Sequence, residues 1–227
     1  MKNINVLGVR LNDLTVREAI KLVSVYLNSE NLNTIGFVST NLLLEARDSD
    51  SLRESIEGMD IVVPTKPDII KASGYREREI SNNVFMHEFL KKLSREKRKI
   101  FIVGATEEDQ VAIREALLKI NEKLVFFGCF SFAEQEGAED ALINEINSVL
   151  PDVVISQIDS PRQEEFINAA KQKVNARIWL SLQKENILVA STGQIKRGSI
   201  KDFFDRILFK RVVNKYDSEK NEGNEKV

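Results

Sequence analysis

Seven short apolar runs separated by longer segments of helical period constrain the fold of this chain more than any other feature. The runs cover Ile4–Val9, Thr34–Ser39, Asp60–Pro64, Lys99–Ala105, Lys123–Gly128, Asp152–Ile158 and Ala176–Leu182. Between most of them lie stretches such as "TVREAIKLVSVYL" and "EEDQVAIREALLKINE", in which apolar residues recur every three or four positions. Strands alternating with amphipathic helices predict an α/β fold around a mostly parallel sheet flanked by helices. In such sheets ligands bind beyond the carboxyl ends of the strands, so the turns that follow the strands are where chemistry is sought.

The chain has 227 residues, 42% hydrophobic and 30% charged, which suits one globular domain with a short addition. Its net charge of −2 argues against whole-domain affinity for nucleic acid. The charge is uneven, because Lys196–Lys215 carries seven cations against two anions. This divides the chain into an α/β domain over 1–195, a basic appendage over 196–216 and a polar tail over 217–227 that is expected to be disordered. The lone Cys129 excludes an intrachain disulfide, and together with the absence of a signal-like start or a spanning apolar run it predicts a cytoplasmic protein.

Within the appendage, Ile200, Phe203, Phe204, Ile207, Leu208 and Val212 share a helical face, with Lys201, Arg206, Lys210 and Arg211 among the cations around it. Such a helix either packs on the core or lies on an anionic membrane surface or a partner subunit.

Three turns are candidates. "KIFIVGA" ends at Gly104 and runs into Thr106, an N-cap with Asp109 at capping-box distance, where free N–H groups could hold a diphosphate. "IDSPRQEEF" reads as a capping box from Ser160 to Gln163. "FVSTNLLL" opens a helix at Ser39, Thr40 and Asn41. His87 has no second ligand at metal spacing, and Cys129 reads as an inert core residue, so neither predicts a metal or redox site.

Together these turns resemble the WecG/TagA/CpsF glycosyltransferases. The likeness runs from "VLGVRLNDLTVREAI" through "VSTNLLLEARD", "LRESIEGMDIVVP", "KIFIVGA" and "INEINSVLPDVVI" to "SPRQEEFI" and "TGQIKRGS". It implies a Rossmann-like fold and transfer of an N-acetylhexosamine from a UDP-sugar to an undecaprenyl-diphosphate-linked acceptor at the cytoplasmic membrane face. It also implies an inverting reaction with no metal or other cofactor, driven by an aspartate acting as general base. By resemblance, Ser39, Asn41, Gly104, Arg162 and Gln163 bind substrate.

Several positions depart from the pattern. Thr65 stands where the family has its aspartate, with Asp68 as a possible substitute base. Glu79 and Val84 replace an arginine and an aspartate of the next motif, Asn82 its glycine, and Asp159 the glycine before Ser160. Two functions stay open on this reading. One is a transferase of cell-surface polysaccharide or teichoic-acid synthesis. The other is a catalytically inactive relative that binds a sugar nucleotide or a partner, in a homo-oligomer or with another transferase.

Overall fold

The computed structural model describes residues 2–66, 69–70, 82–132, 137–183, 209–216 and 218. The chain opens with β1 (Lys2–Val6) and β2 (Val9–Asp13), paired antiparallel. The single strand expected over Ile4–Val9 is therefore broken in the middle. Leu7 and Gly8 both have positive φ, 54° and 87°, which is what a two-residue hairpin turn requires if its twist is to match that of its strands.

There follow α1 (Val16–Tyr26), β3 (Asn33–Val38), α2 (Thr40–Asp48), α3 (Asp50–Glu57), β4 (Ile61–Pro64), α4 (Asn82–Arg95), β5 (Lys99–Gly104) and α5 (Glu107–Ile120). Then come β6 (Val125–Ser131), α6 (Ala138–Val149), β7 (Val153–Gln157), α7 (Arg162–Ala170) and β8 (Ile178–Ser181). Six strands form one parallel sheet in the order β4-β3-β8-β7-β5-β6. This is the α/β architecture that the alternation predicts and the Rossmann-like fold that the resemblance implies. β6 starts two residues later than expected because the Asn121 side chain accepts the Lys123 N–H at 3.0 Å and holds a turn there.

Two apolar cores, one on each face, hold the sheet between helices. Leu42, Leu52, Ile146 and Phe166, from α2, α3, α6 and α7, pack on one face with the β1–β2 hairpin. Val23, Phe89 and Ile113, from α1, α4 and α5, pack on the other. Connections stepping toward β4 use the first face and those stepping toward β6 the second, as right-handed crossovers require. Burying large side chains such as Trp179, Phe89 and Phe101 stabilises by roughly 1.5–3 kcal/mol each. The hairpin also covers the β4 edge: Asn12 Oδ1 accepts the Val62 N–H at 2.6 Å.

Residues 209–216 are helical, with Phe209 and Val213 buried in the first core and Lys210 and Arg211 exposed. The described part of the appendage thus packs on the body. Lys201 and Arg206 lie outside the described residues.

Tyr216 reaches the hairpin turn, where a Cβ added to Gly8 would lie 2.8 Å from its hydroxyl. Gly8→Ala is expected to destabilise the fold by about 1–2 kcal/mol from the left-handed backbone alone, plus the clash. Tyr216→Phe in that background should recover only the part due to the clash. Urea denaturation of the two variants separates the contributions, and unchanged stability of Gly8→Ala would refute this account of the turn.

Candidate functional site

All six parallel strands end on the same side of the molecule, and the expected catalytic and substrate-binding residues that are described sit there. The connection leaving β7 runs to one face and that leaving β5, its neighbour, runs to the other. Adjacent strands with diverging connections leave a crevice between them, the place where α/β sheets bind ligands.

One group lies at the ends of β3 and β4. Ser39 is the N-cap of α2, its hydroxyl accepting the Leu42 N–H at 3.1 Å. Asn41 is exposed on the first turn of that helix. The Thr65 N–H donates to the Val38 carbonyl at 2.8 Å and continues the pairing of Val38 with Pro64 by one residue. Backbone hydrogen bonding therefore brings Thr65 beside the start of α2 at Ser39, with the exposed Lys66 following. Val84 is half-exposed in the first turn of α4. Asp68 and Glu79 lie outside the described residues.

A second group lies at the ends of β5 and β7, beyond the intervening β8. At Gly104 a Cβ would come within 2.8 Å of the Gln110 nitrogen and 2.9 Å of the Thr106 carbonyl. The chain itself, folding tightly back into α5, thus demands glycine. The capping box forms as expected, with the Asp109 N–H donating to Thr106 Oγ1 at 3.1 Å and the Thr106 N–H to Asp109 Oδ2 at 3.2 Å. The first turn of α5 also carries Glu107 and Glu108. Hydrogen bonds from its own backbone and from Thr106 hold the Glu108 carboxyl below its usual range. Three acids at this helix start oppose a diphosphate there.

Gln163 is fully buried and ties the ends of two strands together. Its Oε1 accepts from Ser156 Oγ at 2.8 Å and from the Ile158 N–H at 3.1 Å, and its Nε2 donates to the Leu182 carbonyl at 3.2 Å. The indole N–H of Trp179 donates to the same Ser156 hydroxyl at 2.8 Å. Because Gln163 turns inward, the capping box expected from Ser160 does not form: Pro161 occupies the N-cap position with no side-chain cap. The Arg162 guanidinium stacks over Phe132, 4.3 Å from the ring centroid.

Sequence reasoning missed Glu164 and Gln183. Glu164 is 1% exposed, and its Oε1 accepts from Ser160 Oγ and from Gln183 Nε2, each at 3.1 Å. Burial raises its carboxyl above the usual range, with those hydrogen bonds opposing the shift. The signal lay in helical spacing, since Glu164 is three residues before the buried Ile167, whereas Glu165 faces solvent. Among the described residues, the buried side-chain polar atoms without a partner are Glu164 Oε2, Gln157 Oε1 and Ser181 Oγ. All three lie at the carboxyl ends of β7 and β8 or in the first turn of α7. Unsatisfied buried polar groups cost about 1–3 kcal/mol each and call for an explanation, such as a ligand.

Cys129, expected in the core, is exposed, because β6 is an edge strand whose outer side no described element covers. His87 is exposed on α4. Among the described residues no group of three His, Cys, Asp or Glu is placed to hold a metal ion. None of the described helices is long and apolar enough to cross a membrane.

A family model described as "Glycosyl transferase WecG/TagA/CpsF family" matches residues 4–197. No curated protein matches the chain.

Two outcomes test the buried cluster. Gln163→Ala leaves the Ile158 N–H and the Leu182 carbonyl unpaired and should cost about 3 kcal/mol in urea denaturation. A raised Glu164 pKa means that the native state holds a proton which the unfolded chain has lost. Native stability therefore falls as pH rises from the ordinary glutamate value through the raised one. Glu164→Gln removes that term, so the variant should gain stability over the parent at pH 7.5 and lose the advantage near pH 4. A pH-independent difference would show that this carboxyl does not titrate between the two states.

Proposed function

Because the chain belongs to the WecG/TagA/CpsF glycosyltransferase family, we propose that it serves cell-surface polysaccharide assembly by binding a UDP-N-acetylhexosamine without the family's aspartate-driven transfer. The nucleotide sugar lies across the carboxyl ends of β3, β8 and β7 and reaches the crevice between β7 and β5. Ser39, Asn41 and Thr65 flank one side of it, and Arg162 and the backbone held by Gln163 flank the other. The observation that carries this reading is the concentration of unpartnered buried polar atoms, Glu164 Oε2, Gln157 Oε1 and Ser181 Oγ, at this one end of the sheet.

The proposed lack of ordinary turnover rests on Thr65. Its backbone pairs with Val38, just before Ser39, but a hydroxyl is no base near neutral pH. Losing a general base lowers rate by about a hundredfold to ten-thousandfold. The carboxylates of Glu107, Glu108 and Asp109 at the start of α5 oppose charge growth on a departing diphosphate nearby.

In this reading residues 1–195 bind the nucleotide. The appendage, with Lys201, Arg206, Lys210 and Arg211, contacts an anionic membrane surface or a transferase subunit. The protein then works at the inner face of the membrane, beside an enzyme that consumes lipid-linked acceptor.

Calorimetric titration with UDP and UDP-N-acetylhexosamines tests the proposal. Asn41→Ala is the control of choice, because Asn41 is exposed whereas Gln163 is built into the core. Saturable binding weakened about tenfold in that variant is expected, a loss of about 1.4 kcal/mol. No UDP should be released when a lipid-linked acceptor is added. UDP release by the unmodified protein would overturn the non-catalytic reading and point to Asp68 as base. No binding at millimolar ligand would overturn the nucleotide site.

A further inference from the structure

The two edges of the sheet are finished differently. At β4 the hairpin covers the edge, with Asn12 bonded to the Val62 N–H. At the opposite edge β6 pairs with β5 alone among the described residues. Its sequence, "VFFGCFS", carries no charge and no proline, two of the usual devices that keep an edge strand from pairing with another chain. β6 itself carries one bulge, at Phe127, which has no partner on β5 between the pairs Ile100–Phe126 and Phe101–Gly128. Gly128 to Ser131 continue in regular register beyond it.

The surroundings of this edge are apolar and are charged in opposite senses at their two ends. Val125, Phe127 and Val111 are 39%, 50% and 57% exposed. On α5, Arg114 lies over the Phe126 ring at 5.4 Å, which places that helix face along the β6 edge. At the amino end of the strand a groove of about 830 Å³ is lined by Lys91, Arg95, Lys97, Lys119 and Lys123 with the single acid Glu122. At the carboxyl end, the first turn of α5 carries Glu107, Glu108 and Asp109 and that of α6 carries Glu139 and Asp140.

We propose that β6 is the docking edge for a second copy of this chain. The two β6 strands pair antiparallel about a two-fold axis near Gly128 and join the two sheets into one. Antiparallel pairing sets the basic end of each protomer against the acidic end of the other, so the attraction occurs twice. Parallel pairing would set like charge against like. A two-fold contact is self-complementary by construction, and this charge layout meets that condition while the apolar residues between supply the buried surface. The proposal does not depend on what the carboxyl-end crevice binds.

Sedimentation of the full chain over a concentration series, at low and high salt, tests it. A reversible dimer that weakens with salt is expected. Lys119→Glu with Lys123→Glu, both exposed positions, should weaken the dimer at least tenfold. Adding Glu107→Lys and Glu108→Lys should restore it. In this register the two Cys129 residues sit two strand steps apart, about 7 Å along and about 5 Å across. A short bifunctional thiol reagent should therefore join them, and Cys129 is the sole cysteine. A monomer at all concentrations, or a dimer indifferent to the charge reversals or one in which Cys129 does not cross-link, would overturn the proposal.

Discussion

The buried amide of Gln163 is the contact on which the functional end of the molecule depends. Parallel strands offer no hairpin to fix their carboxyl ends, and the last backbone groups of β7 and β8 point out of the ladder. Here one side chain takes up the Ile158 N–H and the Leu182 carbonyl and reaches Trp179 through the Ser156 hydroxyl. Each bond contributes about 1 kcal/mol net, but leaving any of these groups unpaired inside the protein costs more than making the bond gains. The network therefore acts as a fastener, and α7 is held against two strands at once. What lies above it, Arg162, Ser160 and Gln183, inherits its position from that arrangement.

Next to this satisfied network sits an unsatisfied one. Glu164 buries a carboxyl with one oxygen bonded to Ser160 and Gln183 and the other without a partner. A core selected for stability alone would place an apolar residue or a neutral amide there. Local departures from consistency of this kind tend to fall at functional sites, where strain or desolvation is tolerated because the rest of the fold compensates. Burial of a group that prefers to stay neutral also couples this end of the sheet to pH, with stability lost as the carboxyl is forced to ionise.

Much of the scaffold was legible in the residues because burial on both faces of a parallel sheet leaves unmistakable apolar runs, such as "KIFIVG" and "VVISQ", between helices of period 3.6. The hairpin was not, because "INVLGV" differs from a continuous strand only in the backbone conformation of Leu7 and Gly8. The caps at Ser39 and Thr106 were readable from local chemistry. The supposed cap at Ser160 was not, because Gln163 answers to tertiary partners that local spacing does not reveal. Glu164 was missed for a related reason: its neighbour Glu165 has the same side chain, and the two differ only in that Glu164 shares the helix face of the buried Ile167. Cys129 illustrates the converse error, since an apolar strand at a sheet edge looks the same in sequence as one in the middle.

The separation of scaffold from chemistry is sharpest at Thr65. The bond that pairs this residue with β3 runs from its own N–H to the Val38 carbonyl, a backbone contact that does not use the side chain. Gly104 is a scaffold requirement of another kind: a Cβ there would meet the start of α5, so its role is complete before any ligand arrives. Backbone-determined turns preserve a fold's outline without preserving its reactivity, and family membership therefore bounds the substrate class more tightly than it bounds turnover. Reactivity is decided instead by the charges that the outline presents. At the start of α5 those are acids, which oppose a leaving diphosphate, and at the position of the expected base there is a neutral hydroxyl. Both differences act in the same direction. On the proposed reading they leave a crevice that recognises a nucleotide sugar through hydrogen bonds, while the groups that would draw charge through a transfer reaction are weakened together.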